Sequence, residues 1–202
     1  MTMLDTPAVT GLVLAGGASS RMGRNKARLA LDGEMLVSRV VRVLAGITPD
    51  VRIVSNDAAS YDFLGLPIIP DVTPGYGPLM GLYSGLLAAS GELAVLVAVD
   101  MPFLSVSLIR HLLALAAEYD VVIPRAQDRL HPLCAVYRRS TCLPAIEQAI
   151  ERQQRRLIAF HPQVRVRTVP EPELRTMSPD LRALMNVNTP EELAAAERLL
   201  HR

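Results

Sequence analysis

The stretch of sequence that decides the fold is TGLVLAGGASSRMGRNK, residues 10–26. It begins with the short apolar run GLVLA, of the kind that forms a strand buried on both faces of a parallel sheet. The run stops at Gly16 and Gly17, where a backbone without Cβ atoms can turn tightly and approach a ligand closely. Backbone N–H groups at such a turn can bind an anion, and Arg21 and Lys26 add two cations. The stretch therefore predicts a strand followed by a phosphate-binding loop.

Two common glycine-rich loops are excluded by the spacing. No Gly-Lys-Ser or Gly-Lys-Thr follows the first glycine at the distance that a Walker A loop requires. Gly16 and Gly17 followed by Gly23 do not fit the dinucleotide pattern G-x-G-x-x-G. From glycine content alone, an ordinary strand-to-loop turn with basic surface residues is as well supported as a phosphate site.

Composition predicts a single globular domain over residues 1–202, since half of the residues are apolar and a fifth are charged. A net charge of +1 and the absence of Trp argue against a nucleic-acid partner or a membrane surface. The first ten residues do not resemble a signal peptide, and the longest apolar run is too short to span a bilayer. The two cysteines match neither a disulfide framework nor a zinc pattern, which favours a reducing, cytoplasmic location.

The rest of the chain alternates between strand-like and helix-like patterns. We expect strands at 51–55, 66–70, 93–99, 120–124 and 133–137, and helices at 35–45, from 79, 108–118 and 141–152. Residues 93–99 are apolar throughout, so this strand should be central and covered on both faces. The alternation predicts a doubly wound, mainly parallel, Rossmann-like α/β sheet with helices on both faces. The less regular C-terminal part is expected to add an antiparallel strand.

Polar residues follow three of the predicted strands. Asn56, Asp71 and Asp100 stand where ligands bind an open parallel sheet, beyond the carboxyl ends of its strands. Mg²⁺ takes few protein ligands, so one well-placed aspartate such as Asp100 can anchor a metal–triphosphate complex. Asn and Asp are also frequent turn and cap residues, which is the alternative for all three.

Two further patterns have a packing explanation and a functional one. Gly81 and Gly85 recur at helical spacing, which leaves a smooth helix face for close packing against the sheet or a ligand. Residues 152–167 concentrate five arginines, which could bind a second anionic substrate, although such arginines more often form a solvated face.

The last motif is NVNTPEEL, residues 186–193. Thr189, Pro190 and Glu192 predict a capping box that starts the final helix. The capping box does not explain Asn186 and Asn188, the two asparagines that precede it.

The segment LAGGASSRMGRNK resembles the signature loop of the nucleotidyltransferases with the nucleotide-diphospho-sugar transferase fold, and its LAGG opening is most similar to that of the molybdenum cofactor guanylyltransferases. The segments GPLMG, VDMPF, His131-Pro132 and NVNTPEEL resemble that family's later motifs, in the same order. One residue departs from the pattern. Asn25 stands where the family usually has an aspartate, which removes a charge but keeps size and hydrogen bonding.

The resemblance implies transfer of GMP from Mg²⁺-bound GTP to the terminal phosphate of the molybdopterin cofactor, with release of pyrophosphate. It implies a nucleotide-binding part at about 8–103 and an acceptor-binding part at about 104–202. It makes Arg21, Lys26 and Asp100 catalytic, with Asp100 as the Mg²⁺ ligand. The binding residues that it implies are Leu14, Ala15, Gly16, Gly17, Lys26, Asn56, Asp71, Asp100, Asn186 and Asn188.

Three other functions stay open at this point. The chain could be a cytidylyltransferase for the same cofactor, or a sugar-phosphate nucleotidyltransferase of the same fold. It could also be a non-catalytic nucleotide-binding accessory protein of molybdoenzymes, which the uncharged Asn25 would suit. For the enzyme, the expected partners are GTP and the molybdopterin cofactor, with transient contacts to proteins that deliver the cofactor or receive the product.

Overall fold

A computed structural model describes residues 8–15 and 29–201 of the chain. Its strands are β1 (Val9–Leu14), β2 (Ala30–Leu31), β3 (Glu34–Met35), β4 (Val51–Val54), β5 (Ile68–Ile69), β6 (Leu93–Ala98), β7 (Val121–Ala126), β8 (Arg129–Leu130), β9 (Cys134–Arg138) and β10 (Val166–Pro170). Its α-helices are α1 (Leu36–Ala45), α2 (Pro78–Ala88), α3 (Val106–Leu115), α4 (Arg139–Glu151), α5 (Glu171–Leu174) and α6 (Pro190–Leu200).

The main sheet has the strand order β10-β7-β9-β6-β1-β4-β5, with β8 paired to β7. Parallel pairs join β1 to β4 and β6, β4 to β5, and β7 to β10. Strand β9 lies antiparallel between β6 and β7. The predicted mainly parallel α/β sheet with an antiparallel C-terminal addition is therefore confirmed, and the antiparallel strand lies inside the sheet.

Helices cover both faces of the sheet because the strand side chains alternate between the two faces. In β1, Val13 contributes to a core with α1 and α3, whereas Leu12 and Leu14 contribute to a second core with α2 and α4. All six residues of β6 are buried, as expected of a central strand whose side chains pack on both faces.

Helix α2 lies close to β1 because two of its positions are glycines. A Cβ atom at Gly81 would lie 2.5 Å from Cδ1 of Leu14, and one at Gly85 would lie 2.7 Å from Cδ1 of Leu12. Real Cβ atoms essentially never approach other atoms so closely, so the packing explanation for this glycine pair is confirmed. Asp71 also lies against this turn of the helix, with Oδ1 3.6 Å from the same Gly81 position.

The sequence patterns missed β10, at the end of the arginine-rich segment. Arg165 pairs with the buried Asp120 at 3.3 Å, and Arg167 pairs with Glu173 at 2.7 Å. Arg165 is nevertheless 68% exposed, and Arg152, Arg155 and Arg156 are exposed as well, so most of these arginines do form a solvated face. Among the residues that the structure describes, no helix combines the length and the apolar character needed to cross a membrane.

Candidate active site

The carboxyl ends of three strands meet where β1 ends. The Ala15 N–H donates to the carbonyl of Val54, the last residue of β4, at 2.9 Å. The Val99 N–H, just past β6, donates to the carbonyl of Leu14 at 3.1 Å. Leu14 and Ala15 are therefore held at the edge of the sheet where a parallel α/β fold binds its ligands. The four other predicted residues of this loop, Gly16, Gly17, Arg21 and Lys26, lie outside the described residues.

Two residues that the sequence patterns did not select fix the backbone at Ala15. The Ala15 carbonyl accepts a hydrogen bond from the Tyr61 hydroxyl at 3.1 Å and a longer one from Ser55 Oγ at 3.4 Å. Tyr61 is 2% exposed, and this burial, together with the nearby Asp57 carboxylate, raises the pKa of the Tyr61 phenol to about 12. Tyr61 is thus a neutral hydrogen-bond donor at physiological pH. Ser55 follows β4 directly, but nothing in the sequence distinguishes Tyr61.

Asn56 and Asp71, which follow β4 and β5, form a reciprocal pair. Asn56 Nδ2 donates to Oδ2 of Asp71 at 2.8 Å, and the Asp71 N–H donates to Oδ1 of Asn56 at 2.8 Å. The next residue is also anchored, because the Val72 N–H donates to Ser84 Oγ of α2 at 2.9 Å. The structure thus brings these two predicted residues together beside α2, where the Asn56 amide and the Asp71 carboxylate contact each other.

Asp100 joins β6 to the last motif of the chain. It is 7% exposed, and its Oδ1 accepts a hydrogen bond from Nδ2 of Asn186 at 2.8 Å. Its backbone carbonyl accepts a second one from the Val187 N–H, also at 2.8 Å. The backbone bond holds the asparagine motif against the end of the central strand, and the side-chain bond orients the Asp100 carboxylate.

The predicted capping box of α6 is confirmed. Thr189 Oγ1 accepts from the Glu192 N–H at 3.2 Å, and the Glu192 carboxylate accepts from the Thr189 N–H at 3.1 Å. The same carboxylate accepts from the Asn188 N–H. The capping box therefore fixes the backbone at Asn188, two residues after the asparagine that contacts Asp100.

The oxygen-rich end of β6 fits a hard cation that is held partly by its substrate. Mg²⁺ prefers oxygen ligands, and usually one or two carboxylates together with phosphate oxygens and water. Asp100 supplies the carboxylate, and Asn186 and Asn188 bring amide groups to the same end of the fold. Residues 8–15 and 29–201 contain no cluster of three or more His, Cys, Asp or Glu side chains that could hold a metal alone.

A cavity of about 490 Å³ opens beside Asn186. Its lining includes Arg129, His131 and Asn188, and also Glu192 and the ion pair of Arg182 with Asp180 at 2.6 Å. A smaller cavity of about 190 Å³ shares Asn186 and His131 and is otherwise largely apolar. The two cavities together offer charged, amide and apolar surface beside Asn186, the residue that contacts Asp100.

His131 lines both cavities. Burial, which penalises the charged form, lowers the pKa of His131; a backbone hydrogen bond with Ala126 partly opposes this, and the Arg129 guanidinium adds to it. The sequence patterns assigned no role to His131 and did not select Arg129 or Arg182. No local pattern marks these arginines, because they reach the cavity from β8 and from a 3-10 turn at Arg182–Leu184.

The arginine-rich segment is not a single anion-binding surface. Arg165 and Arg167 are held in the ion pairs described above. The Arg155 guanidinium lies 5.0 Å from the ring centre of Tyr76, whereas Arg152 and Arg156 are exposed.

Comparisons with known proteins agree on one family. Residues 11–166 match the MobA-like NTP transferase domain. The chain is 39% identical over 187 residues to a probable molybdenum cofactor guanylyltransferase of Pelotomaculum thermopropionicum, covering 93% of this chain and 91% of the relative. It is 38% identical over 192 residues to the molybdenum cofactor guanylyltransferase of Desulfosudis oleivorans, covering 94% of this chain and 95% of the relative. The crystal structure of molybdopterin-guanine dinucleotide biosynthesis protein A from Archaeoglobus fulgidus superimposes with a TM-score of 0.81 at 27% identity, covering 95% of this chain and 98% of that protein.

Proposed function

The chain belongs to the MobA-like NTP transferase family and is a nucleotidyltransferase, and on that premise we propose that it transfers GMP from GTP to the terminal phosphate of the molybdopterin cofactor. Relatives named as molybdenum cofactor guanylyltransferases match it over more than nine tenths of its length, which supports this choice of nucleotide and acceptor. The structural observation that supports the proposal is the hydrogen bond between Asn186 and Asp100, which joins the last motif of the chain to the carboxyl end of the central strand, beside a cavity that Asn186 lines.

The reaction is a displacement at phosphorus. A terminal phosphate oxygen of the acceptor attacks the α-phosphorus of GTP and forms the new P–O bond. The bond from the α-phosphorus to the bridging oxygen breaks, and its electron pair leaves with pyrophosphate. The attacking oxygen is already anionic, so no strong general base is needed. The protein must therefore bring two polyanions together and stabilise the charge that develops between them.

Nucleotidyltransferases of this family generally use a divalent metal. We propose Mg²⁺, held by Asp100 with Asn186 and Asn188 beside it. When bound, the ion would neutralise phosphate charge and polarise the phosphoryl oxygens. From the sequence, we assign further neutralisation to Arg21, Lys26 and the backbone N–H groups at Gly16 and Gly17. The hydrogen bond from Asn186 orients the Asp100 carboxylate before substrate arrives, which reduces the reorganisation that the reaction requires.

The nucleotide and the acceptor occupy opposite sides of Asp100 in this proposal. The nucleotide-binding part, about 8–103, contributes Leu14, Ala15 and the Asn56–Asp71 pair, whose amide and carboxylate suit the base and ribose. The acceptor-binding part, about 104–202, contributes the cavity beside Asn186. In that cavity Arg129 can pair with acceptor phosphate, whereas Arg182 is held by Asp180, and the largely apolar extension suits a ring system.

The proposal includes a cytoplasmic location and transient contact with the proteins that deliver the acceptor or receive the product. Cys134 and Cys142 are both buried and free, and the lack of a disulfide suits a reducing compartment. Exchange of the cofactor with protein partners fits an acceptor cavity that opens at the surface.

The test is a transfer assay with purified molybdopterin and each of GTP, CTP, ATP and UTP, with and without Mg²⁺. We expect metal-dependent formation of the guanine dinucleotide and one pyrophosphate per turnover, with GTP strongly preferred. Thermal-shift measurements with the same nucleotides give an independent readout, since a ligand at a hundredfold excess over Kd stabilises the native state by about 2.7 kcal/mol. Preference for CTP would replace the guanylyl assignment with the cytidylyl one. Nucleotide binding without any transfer would favour the accessory-protein alternative.

A further inference from the structure

The loop that joins β5 to α2 connects the Asn56–Asp71 pair to the start of the helix that lies against β1. Its first residues are fixed, because Asp71 bonds to Asn56 and Val72 bonds to Ser84. The remainder holds Gly75 and Gly77 between Pro74 and Pro78. The two glycines have φ angles of +80° and +107°, and Gly77 is the N-cap residue of α2.

Tyr76, between these two glycines, ties the loop to the opposite end of another helix. Its hydroxyl lies 3.2 Å from the carbonyl oxygen of Ile150 and 3.1 Å from that of Gln154, and it can donate to either. The Arg155 guanidinium lies 5.0 Å from the centre of the Tyr76 ring, a cation–π distance. Within the described chain, no other side chain of residues 73–77 makes a hydrogen bond.

The contact reaches the segment that ends α4. Ile150 lies in the last turn of α4 and Gln154 lies three residues past its end, and the Ile150 carbonyl also accepts from the Gln153 N–H at 2.8 Å. Tyr76 thus joins this segment, 74 residues away in sequence, to a glycine-flanked loop. The loop adjoins Asp71 and the first turn of α2, which both border the end of β1.

We propose that Tyr76 is a positioning residue for the nucleotide: by attaching residues 73–77 to the end of α4, it preorganises the segment between Asp71 and the N-terminus of α2 that receives GTP. The inference rests on the proposed function. It assigns Tyr76 to nucleotide affinity and not to chemistry, because Tyr76 lies in the loop that runs from Asp71 to α2 and bonds to the segment that ends α4. Arg155 contributes by holding the ring, and the hydroxyl fixes its position.

The same helix pair supplies a matched control. Tyr83, on α2, donates its hydroxyl to Oε1 of Glu147 on α4 at 2.9 Å. A Tyr83→Phe variant therefore loses one tyrosine hydroxyl from the same α2–α4 interface, without touching the loop. Any general loosening of the interface would appear in both variants, whereas loss of loop positioning would appear only at Tyr76.

The experiment compares wild type, Tyr76→Phe, Tyr76→Leu and Tyr83→Phe by steady-state kinetics, by direct GTP titration and by thermal melting. We expect Tyr76→Phe to raise the KM and Kd for GTP about three- to tenfold, the effect of one lost hydrogen bond, with kcat and the acceptor KM unchanged. Tyr76→Leu also loses the Arg155 contact and should raise them further. Tyr83→Phe should keep the wild-type KM and Kd for GTP, and its Tm should equal that of Tyr76→Phe.

A GTP affinity in Tyr76→Phe equal to that of wild type would overturn the inference, as would a fall in kcat with unchanged GTP affinity. The Kd measurement distinguishes a failure of this inference from a failure of the proposed function. If wild type binds GTP but transfers nothing, the proposed reaction fails while the Tyr76 assignment is still decided by Kd. If wild type binds no nucleotide, both fail together. Should Tyr76→Leu not fold, the Phe variant alone decides.

Discussion

The side-chain amide of Asn186 donates to Oδ1 of Asp100 across 2.8 Å, although 86 positions separate the two residues in the chain. This contact places a nearly buried carboxylate at the end of the central strand and fixes its orientation from the last motif of the sequence. We therefore expect Asp100→Asn, which keeps the size of the side chain but removes its charge, to lower kcat about 10³-fold or more. The measurement is metal-dependent GMP transfer by the folded variant.

Asp120→Asn is the control for that substitution. Asp120 is as buried as Asp100, at 6% against 7%, but it lies just before β7, at the opposite edge of the sheet. Its loss should lower Tm because it weakens the ion pair with the largely buried Arg138 and the bond from the Arg165 N–H, while kcat stays near the wild-type value. Asp100→Asn should instead lower kcat and leave Tm near the wild-type value. Near-normal transfer by folded Asp100→Asn would remove this residue from the mechanism.

The reciprocal bonds between Asn56 and Asp71 require one amide and one carboxylate. Asn56→Asp would place two carboxylates in contact, and the like charges would raise the pKa of one of them. We expect the KM for GTP to rise by about tenfold, and the defect to grow with pH as the second carboxylate ionises. GTP titrations between pH 5 and 8 would show this slope, which Asn56→Ala should lack. A pH-independent Kd in Asn56→Asp would contradict the assignment.

Gly81→Ala and Gly85→Ala test the helix that borders the site. Each new methyl group would press on a leucine of β1, and overpacking of this kind costs about 1–3 kcal/mol, offset by about 1 kcal/mol of helix propensity. Their effects on the free energy of unfolding, measured by urea denaturation, should therefore be small and similar. Only Gly81 also adjoins Asp71, so only Gly81→Ala should raise the KM for GTP. Equal KM changes in both variants would refute this distinction.

His161 should make stability depend on pH. Burial lowers its pKa to about 4 from an ordinary value of 6.5, and its Nε2 is buried without a hydrogen-bond partner in the described structure. Between pH 6.5 and about 4, the unfolded chain binds a proton at His161 that the folded protein does not. The free energy of unfolding therefore falls as the pH falls through this range, and the contribution of His161 is fully present above pH 6.5. The slope is at most ~1.4 kcal/mol per pH unit, and partial exposure of the ring reduces it.

His161→Phe should flatten this slope. Phe keeps the edge-to-face contact with Phe160, whose ring centre lies 5.0 Å away, and has no proton to gain. Urea unfolding of wild type and variant at pH 4.5, 5.5 and 7 is the measurement, with the exposed His201→Gln as control. An unchanged slope in His161→Phe would assign the acid sensitivity to another group.

The sequence predicted the fold well because its signals were local. The fully apolar run at 93–99 indicated a central strand, and β6 is buried on both faces between β1 and β9. The spacing of Thr189, Pro190 and Glu192 indicated a capping box, and the box is present. The family resemblance, carried by the glycine loop and NVNTPEEL, is confirmed by relatives that match almost the whole chain. The roles of individual site residues stay predictions.

The site depends on contacts that no sequence window contains. Strand β10 was missed because its arginines indicated a solvent-exposed segment, whereas the strand pairs with β7, and Arg165 beside it bonds to Asp120, 45 residues away. Tyr61 had no distinguishing pattern, yet it holds the Ala15 carbonyl from 46 residues away. Arg129 and Tyr76 were also passed over, because a cavity wall or a helix end becomes visible only after the elements pack.

By itself the sequence determined the longer strands of the parallel core, most of the helices and the cap of α6, since apolar periodicity, glycine and proline act over a few neighbouring residues. It also marked the strand ends where ligand-binding residues belong. The tertiary structure alone decided which of those residues meet. Parallel pairing of β4, β1 and β6 aligns their carboxyl ends, and the Val187–Asp100 backbone bond draws the last motif to the same edge. Hydrogen bonds and ion pairs depend on distance in space, and packing of the sheet sets that distance.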